Sequence, residues 1–167
     1  MKVKSLRELF ELELRYAYDC EQKLVKKGLP SMIENASSPE LRSALQAHLQ
    51  ETQTHVARLE RVFSAIRVQP DTKSNSILDE MTKAAKDSIS NIEDPAIRDT
   101  ALAVNGNYVE HYEIAMYGTL ADFARDLGLQ QVVTILEETL AEEKAADAKL
   151  TQIGRTLNQR AAQHVAA

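Results

Sequence analysis

Residues 136–150, LEETLAEEKAADAKL, hold acidic residues where a helix would bury leucines. Leu136, Leu140, Glu143, Asp147 and Leu150 fall three or four residues apart, so at about 100° per residue they share one helical face. Leucines at both ends mark that face as the buried one, yet two carboxylates stand in its middle. The row extends back through Val132 and Val133 and forward to Ile153 and Leu157, which makes this the fourth long helix of the chain.

Three earlier segments repeat the anomaly. Helix one starts at a capping box, Ser5 with Glu8, and runs from 6 to about 27 with Phe10, Leu14, Ala17, Glu21 and Leu24 in one row. Gly28 and Pro30 are expected to break or bend it, with Met32 and Ile33 on a further turn before Ser37-Ser38-Pro39. Helix two follows, capped by Ser38 with Pro39 at its first position, and runs to about Val68. Its row Ala44, His48, Glu51, His55, Leu59, Val62 places two imidazoles and a carboxylate together. A short crossover helix carries Ile77, Leu78, Met81, Ala85 and Ile89 and ends near Asn91. Asp94-Pro95 opens helix three, which runs to Leu127 before a Gly128 stop. There Glu110 and Glu113 share a face with Ala103, Gly106 and Tyr117, the first two small enough to leave room beside the carboxylates.

Two helical hairpins joined by a long crossover predict an all-α four-helix bundle with a short helix between helices two and three. The bundle is assigned to residues 1–160 and an Ala-rich tail to 161–167. Composition agrees: of 167 residues 44% are hydrophobic and 27% charged, with five Gly, four Pro and no Trp, which excludes disorder and a turn-rich all-β fold. A net charge of −5 without a basic stripe argues against nucleic acid as a partner, and the single Cys excludes an internal disulfide. No signal peptide or run of ~20 apolar residues is visible, so no membrane association and a cytoplasmic location are expected. From Thr100 to Ala124 helix three carries three acidic residues and no Lys or Arg, so it is buried on most sides. A homodimer through its Val109, Tyr112 and Met116 is expected.

Burying a carboxylate costs several kcal/mol unless it is paired, protonated or bound to metal. Glu21, Glu51, Glu110, Glu113, Glu143 and Asp147 come from the middles of all four long helices, which bundling brings to one level. Ionised, they carry about −6, and two divalent cations offset most of that charge. Oxygen donors with an imidazole or two suit two iron or manganese ions. Simpler readings stay open: Asp147 at the seam's edge sits in water, Glu21 pairs with a cation, and His48 and His55 are each ligand, hydrogen-bond donor to a carboxylate, or surface residue. Read in the same way, Glu142, Glu143 and Lys144 together form a solvated face of mixed charge.

The segments YDCEQKL (18–24), HLQETQTHVARLE (48–60), YVEHYEIAMYGTL (108–120) and LEETLAEEKAADAKLT (136–151) resemble the YciE/YciF family of bacterial stress-associated proteins. The similarity spans nearly the whole chain. It implies a ferritin-like bundle, dimeric, related to di-iron carboxylate proteins such as rubrerythrins, with no activity established at the family level. Di-iron bundles supply Glu-x-x-His from two helices. Here Thr54 stands three after Glu51 and Ala146 three after Glu143, while His48 precedes Glu51 in reversed order. The function expected is therefore a metal-binding stress protein with ferroxidase or peroxide-related activity, or else a structural or interaction module with a degenerate site.

Overall fold

The computed structural model describes residues 2–164. It is all-helical among those residues: α1 (Leu6–Lys23), one π-helical turn (Leu24–Gly28), α2 (Leu29–Asn35), α3 (Pro39–Ala65), α4 (Ser76–Asn91), α5 (Pro95–Asp126) and α6 (Gln130–His164). Side-chain caps start them where the sequence places them. Ser5 Oγ accepts from the Glu8 N–H at 3.2 Å, Ser38 Oγ from Leu41, and Asp94 from Ala96 and Ile97.

Three boundaries differ from the sequence reading. Gly28 and Pro30 do not break the first helix. Leu29 donates to the Leu24 carbonyl five residues back, and the widened turn sets Pro30 at the start of α2, where its missing N–H leaves no bond unmade. Helix two stops at Ala65 rather than Val68, because Arg67 turns the chain through φ +60°. Helix four continues through His164, so the segment from 161 begins as helix, and Ala161 is buried. Residues 165–167 lie outside the described part.

Side-chain packing closes the bundle. The long helix α1 packs on α3 and α5, and α6 packs on the same two, so α1 faces α6 across one diagonal and α3 faces α5 across the other. Fully buried Phe10, Leu14, Leu41, Leu59, Phe63, Leu102, Leu120 and Leu136 fill the interior, each contributing roughly 2 kcal/mol on leaving water. The small residues of α5 serve this packing: a side chain at Gly106 would meet Leu150 Cδ1 at 3.0 Å, so the room beside the glutamates is taken by α6.

The crossover helix does more than connect. Asn75 caps α4 by accepting from the Leu78 N–H, while its amide donates to the Tyr16 carbonyl and to Tyr112 Oη, and its N–H to Asp19. α4 thus lies against α5, Tyr112 and Val109 are half-buried within the chain, and Met116 is in the core. The face that α5 leaves open is instead Val104, Tyr108, His111, Ala115 and Thr119. No helix among the described residues is long and apolar enough to cross a membrane.

Candidate metal centre

Four helices aim polar side chains at one level of the interior. Glu21 descends from the α1 row between Ala17 and Leu24, all three buried. α3 contributes His48 and His55, seven residues apart and therefore two turns along one face. Glu110 and Glu113 come from α5, and Glu143 from α6, the last fully buried. Among the described residues these form two donor groups, His48–Glu110–Glu113–Glu143 and Glu21–His55–Glu143, whose donor atoms lie within 4.8 Å of one another inside each group. Glu143 belongs to both.

The imidazoles tie the groups together. His48 Nε2 lies 3.1 Å from Glu110 Oε1 and 4.0 Å from Glu143 Oε2. His55 Nδ1 lies 3.0 Å from Glu143 Oε1 and 3.7 Å from Glu21 Oε1. His55 Nε2 lies 2.8 Å from Glu142 Oε2, a carboxylate that also accepts from Arg58 Nη2 at 2.9 Å. An N–H donated to Glu142 leaves the Nδ1 lone pair facing Glu21 and Glu143, the orientation an imidazole ligand needs. Tyr117 Oη donates to Glu21 Oε1, and the Cys20 thiol lies 3.9 Å from Glu113 Oε1.

The remaining polar atoms have no hydrogen-bond partner. Glu21 Oε2, Glu110 Oε2, Glu113 Oε2, both Glu143 oxygens and His55 Nδ1 are buried and unsatisfied. His55 Nδ1 is close to Glu143 but misaligned for a hydrogen bond with it. Each such orphan costs about 1–3 kcal/mol, a cost that a bound cation would offset. Oxygens with one imidazole per group fit a hard or borderline divalent cation, and two such ions at about +4 balance the four carboxylates.

Without cations the charges distort one another. Burial, reinforced by Glu143, pushes the Glu21 carboxyl up to about 8. Burial and then Glu143, Glu21 and Glu110 hold Glu113 well above the usual carboxylate range. Burial raises Glu110 too, against the opposing pull of His48. For His48 burial alone would lower the value, but the nearby carboxylates of Glu110 and Glu51 and the charge of Glu143 win, and it rises to about 11.

Two of the carboxylates placed in core register by sequence are not brought to the centre. Glu51 stands about 60° round α3 from His48, its side chain 49% exposed and its Oε2 3.5 Å from His48 Nδ1. Thr52, on the other flank, takes the buried position and donates to the His48 carbonyl at 2.8 Å. Asp147 sits at the α5–α6 seam, 21% exposed, accepting from Asn107 at 2.8 Å and lying 3.3 Å from His111. Glu142, read from sequence as part of a solvated face, instead lies against His55 and Arg58. Its signal was the buried Arg58, three residues after His55, opposite a Glu138/Glu142 pair one turn apart on α6.

Comparison with known proteins places the chain. Protein YciF of Escherichia coli (strain K12) is 34% identical over 154 residues, 92% of each chain. The crystal structure of this E. coli stress protein matches with a TM-score of 0.90 at 32% identity, covering 94% of this chain and 99% of that one. YcfI from Rhodopseudomonas palustris, described provisionally as a structural protein, matches with a TM-score of 0.88 at 38% identity over 90% and 95% of the two chains. Residues 5–163 match the domain of unknown function DUF892, and the chain belongs to that family of YciF-like, ferritin-like helical bundles.

Proposed function

We propose that this chain is a di-metal carboxylate protein that binds two iron or manganese ions and serves in stress by oxidising ferrous iron or consuming peroxide; its E. coli relative YciF is described as a stress protein. The observation that carries the reading is Glu143: wholly buried, both oxygens unpaired, and common to both donor groups. Glu21, His55 and Glu143 would hold one ion, and His48, Glu110 and Glu113 with Glu143 the other. Bound iron or manganese supplies one-electron chemistry toward oxygen or peroxide. The chain's own part is to fix its donors: Tyr117 holds Glu21, Glu142 and Arg58 hold His55, and burial excludes bulk water. Gentle purification followed by metal analysis is expected to find about two ions per chain, and anaerobic ferrous loading should give rapid optical change and oxygen uptake on aeration. Less than roughly a tenth of that metal across iron, manganese and zinc defeats the reading.

The missing Glu-x-x-His pairs favour a second reading, a structural or interaction module whose centre stays protonated and empty of function. The description of YcfI points the same way. The two readings separate on the double change Glu110→Gln with Glu143→Gln, which lowers stability in the presence of metal only under the first.

A homodimer is part of the proposal, formed through the open α5 face. Val104 is 42% and Tyr108 60% exposed, and the stripe they share with His111, Ala115 and Thr119 carries no Lys, Arg, Asp or Glu. Sedimentation is expected to show a dimer for the wild type and a monomer for Tyr108→Glu, because a buried unpaired carboxylate at such a contact costs several kcal/mol. A monomeric wild type removes the proposal.

A further inference from the structure

The centre is buried, so cations need a way in, and the seam between α3 and α6 is sealed unevenly. At the His55 level it is shut by charge: Arg58 reaches across to Glu138 at 2.7 Å and to both oxygens of Glu142. Two turns earlier on α3 the seam opens into a cleft of about 130 Å³. Small side chains make the opening, Ala47 on one wall and Ala145 and Ala146 on the other.

His48 forms the floor of this cleft, with a side chain 9% exposed. Its Nε2 touches Glu110 of the inner group, while Nδ1 has no hydrogen bond and points at Glu51 on the lip. The imidazole therefore stands between an outer carboxylate and an inner one, 3.5 Å from the first and 3.1 Å from the second. Of the two glutamates lining the cleft, Glu142 is committed to Arg58 and His55, which leaves Glu51 as the carboxylate available to an arriving ion. Lys149 stands on the same rim and opposes it in sign.

We infer that the α3–α6 cleft is the route by which divalent cations reach the centre, and that Glu51 captures them at its mouth and passes them inward beside His48. The inference rests on the di-metal reading. It also gives Glu51 a role that its position outside the donor groups leaves unexplained: the residue is a positioning group for incoming metal, not a ligand of the filled site.

Stopped-flow uptake of cobalt(II) chloride by metal-free protein, followed by the visible absorption of the bound ion, tests this without any turnover. Glu51→Gln is expected to slow filling about tenfold at low salt, with the difference shrinking as salt is added and the final content still two ions per chain. Lys149→Glu is expected to speed filling, again without changing the final content. Filling of Glu51→Gln at the wild-type rate overturns the route, as does a Lys149→Glu variant that fills no faster. A Glu51→Gln protein that stops at one ion makes Glu51 a ligand and also overturns it. A wild-type chain that takes up no cobalt overturns the di-metal reading itself, and the route with it.

Discussion

Changing both Glu110 and Glu143 to Gln is expected to abolish metal binding and to lower the melting temperature of protein assayed with metal, while leaving metal-free protein as stable as the wild type or more so. The two effects have different causes. Each cation held at about one hundred times its dissociation constant adds about 2.7 kcal/mol to folding, so two add about 5 kcal/mol. For a chain of this size about 1 kcal/mol moves the midpoint by 2–4 °C, which makes the loss roughly 10–20 °C. Without metal the same change relieves repulsion: Glu143 raises the Glu21 and Glu113 carboxyls, and Glu110 raises Glu113 further. Calorimetry with and without a chelator reads both effects. A module with an idle centre gives a different result, in which the chelator moves neither protein.

The second large effect is a dependence of metal-free stability on pH. Glu21 titrates at about 8 in the fold against an ordinary 4.5, so between those values the native chain keeps a proton that the unfolded chain has released. His48 does the same between 6.5 and about 11. In both windows the native state binds more protons, and stability falls as pH rises. Each group costs roughly 1.4 kcal/mol per pH unit, and between 6.5 and 8 the two act together at about 2.7 kcal/mol per unit. Denaturant midpoints measured in chelator at several pH values should therefore fall steeply across neutrality. Cations displace these protons, so loaded protein is expected to hold or gain stability over the same range. A flat or rising profile in chelator would show that the buried cluster is not strained.

The starts of α1, α3 and α5 were legible because Ser5, Ser38-Pro39 and Asp94-Pro95 act locally, and the buried cluster because a carboxylate in a leucine row is conspicuous at any distance. What escaped was whatever depends on a neighbour. Periodicity alone cannot choose between Glu51 and Thr52, which flank His48 at similar angles; the choice is made by Leu45, Leu59 and Phe63, whose burial rolls α3 toward the Thr52 side. Glu143 shows itself in the leucine row, whereas Glu142 reads as solvated, and only Arg58, 84 residues away, brings it against His55. Tyr112 and Val109 read as an outer face because the crossover helix was taken as a connector, whereas Asn75 pins it onto α5. Gly28 and Pro30 read as a break or a bend with a further turn beyond, and the widened turn that joins the two pieces leaves no mark of its own in composition.

That turn sets the phase of the first helix. Counted as a regular helix, Leu24–Gly28 holds one residue more than the path requires, and one residue is worth about 100° of rotation. The surplus uncouples two directions that an unbroken helix would lock together. α1 can point Glu21 at the level of the buried carboxylates, while α2 turns Leu29 and Met32 into the core beside α3. Glu21 and Met32 are thus indexed separately, and the aim of the carboxylate is free of the packing that anchors the helix beyond it.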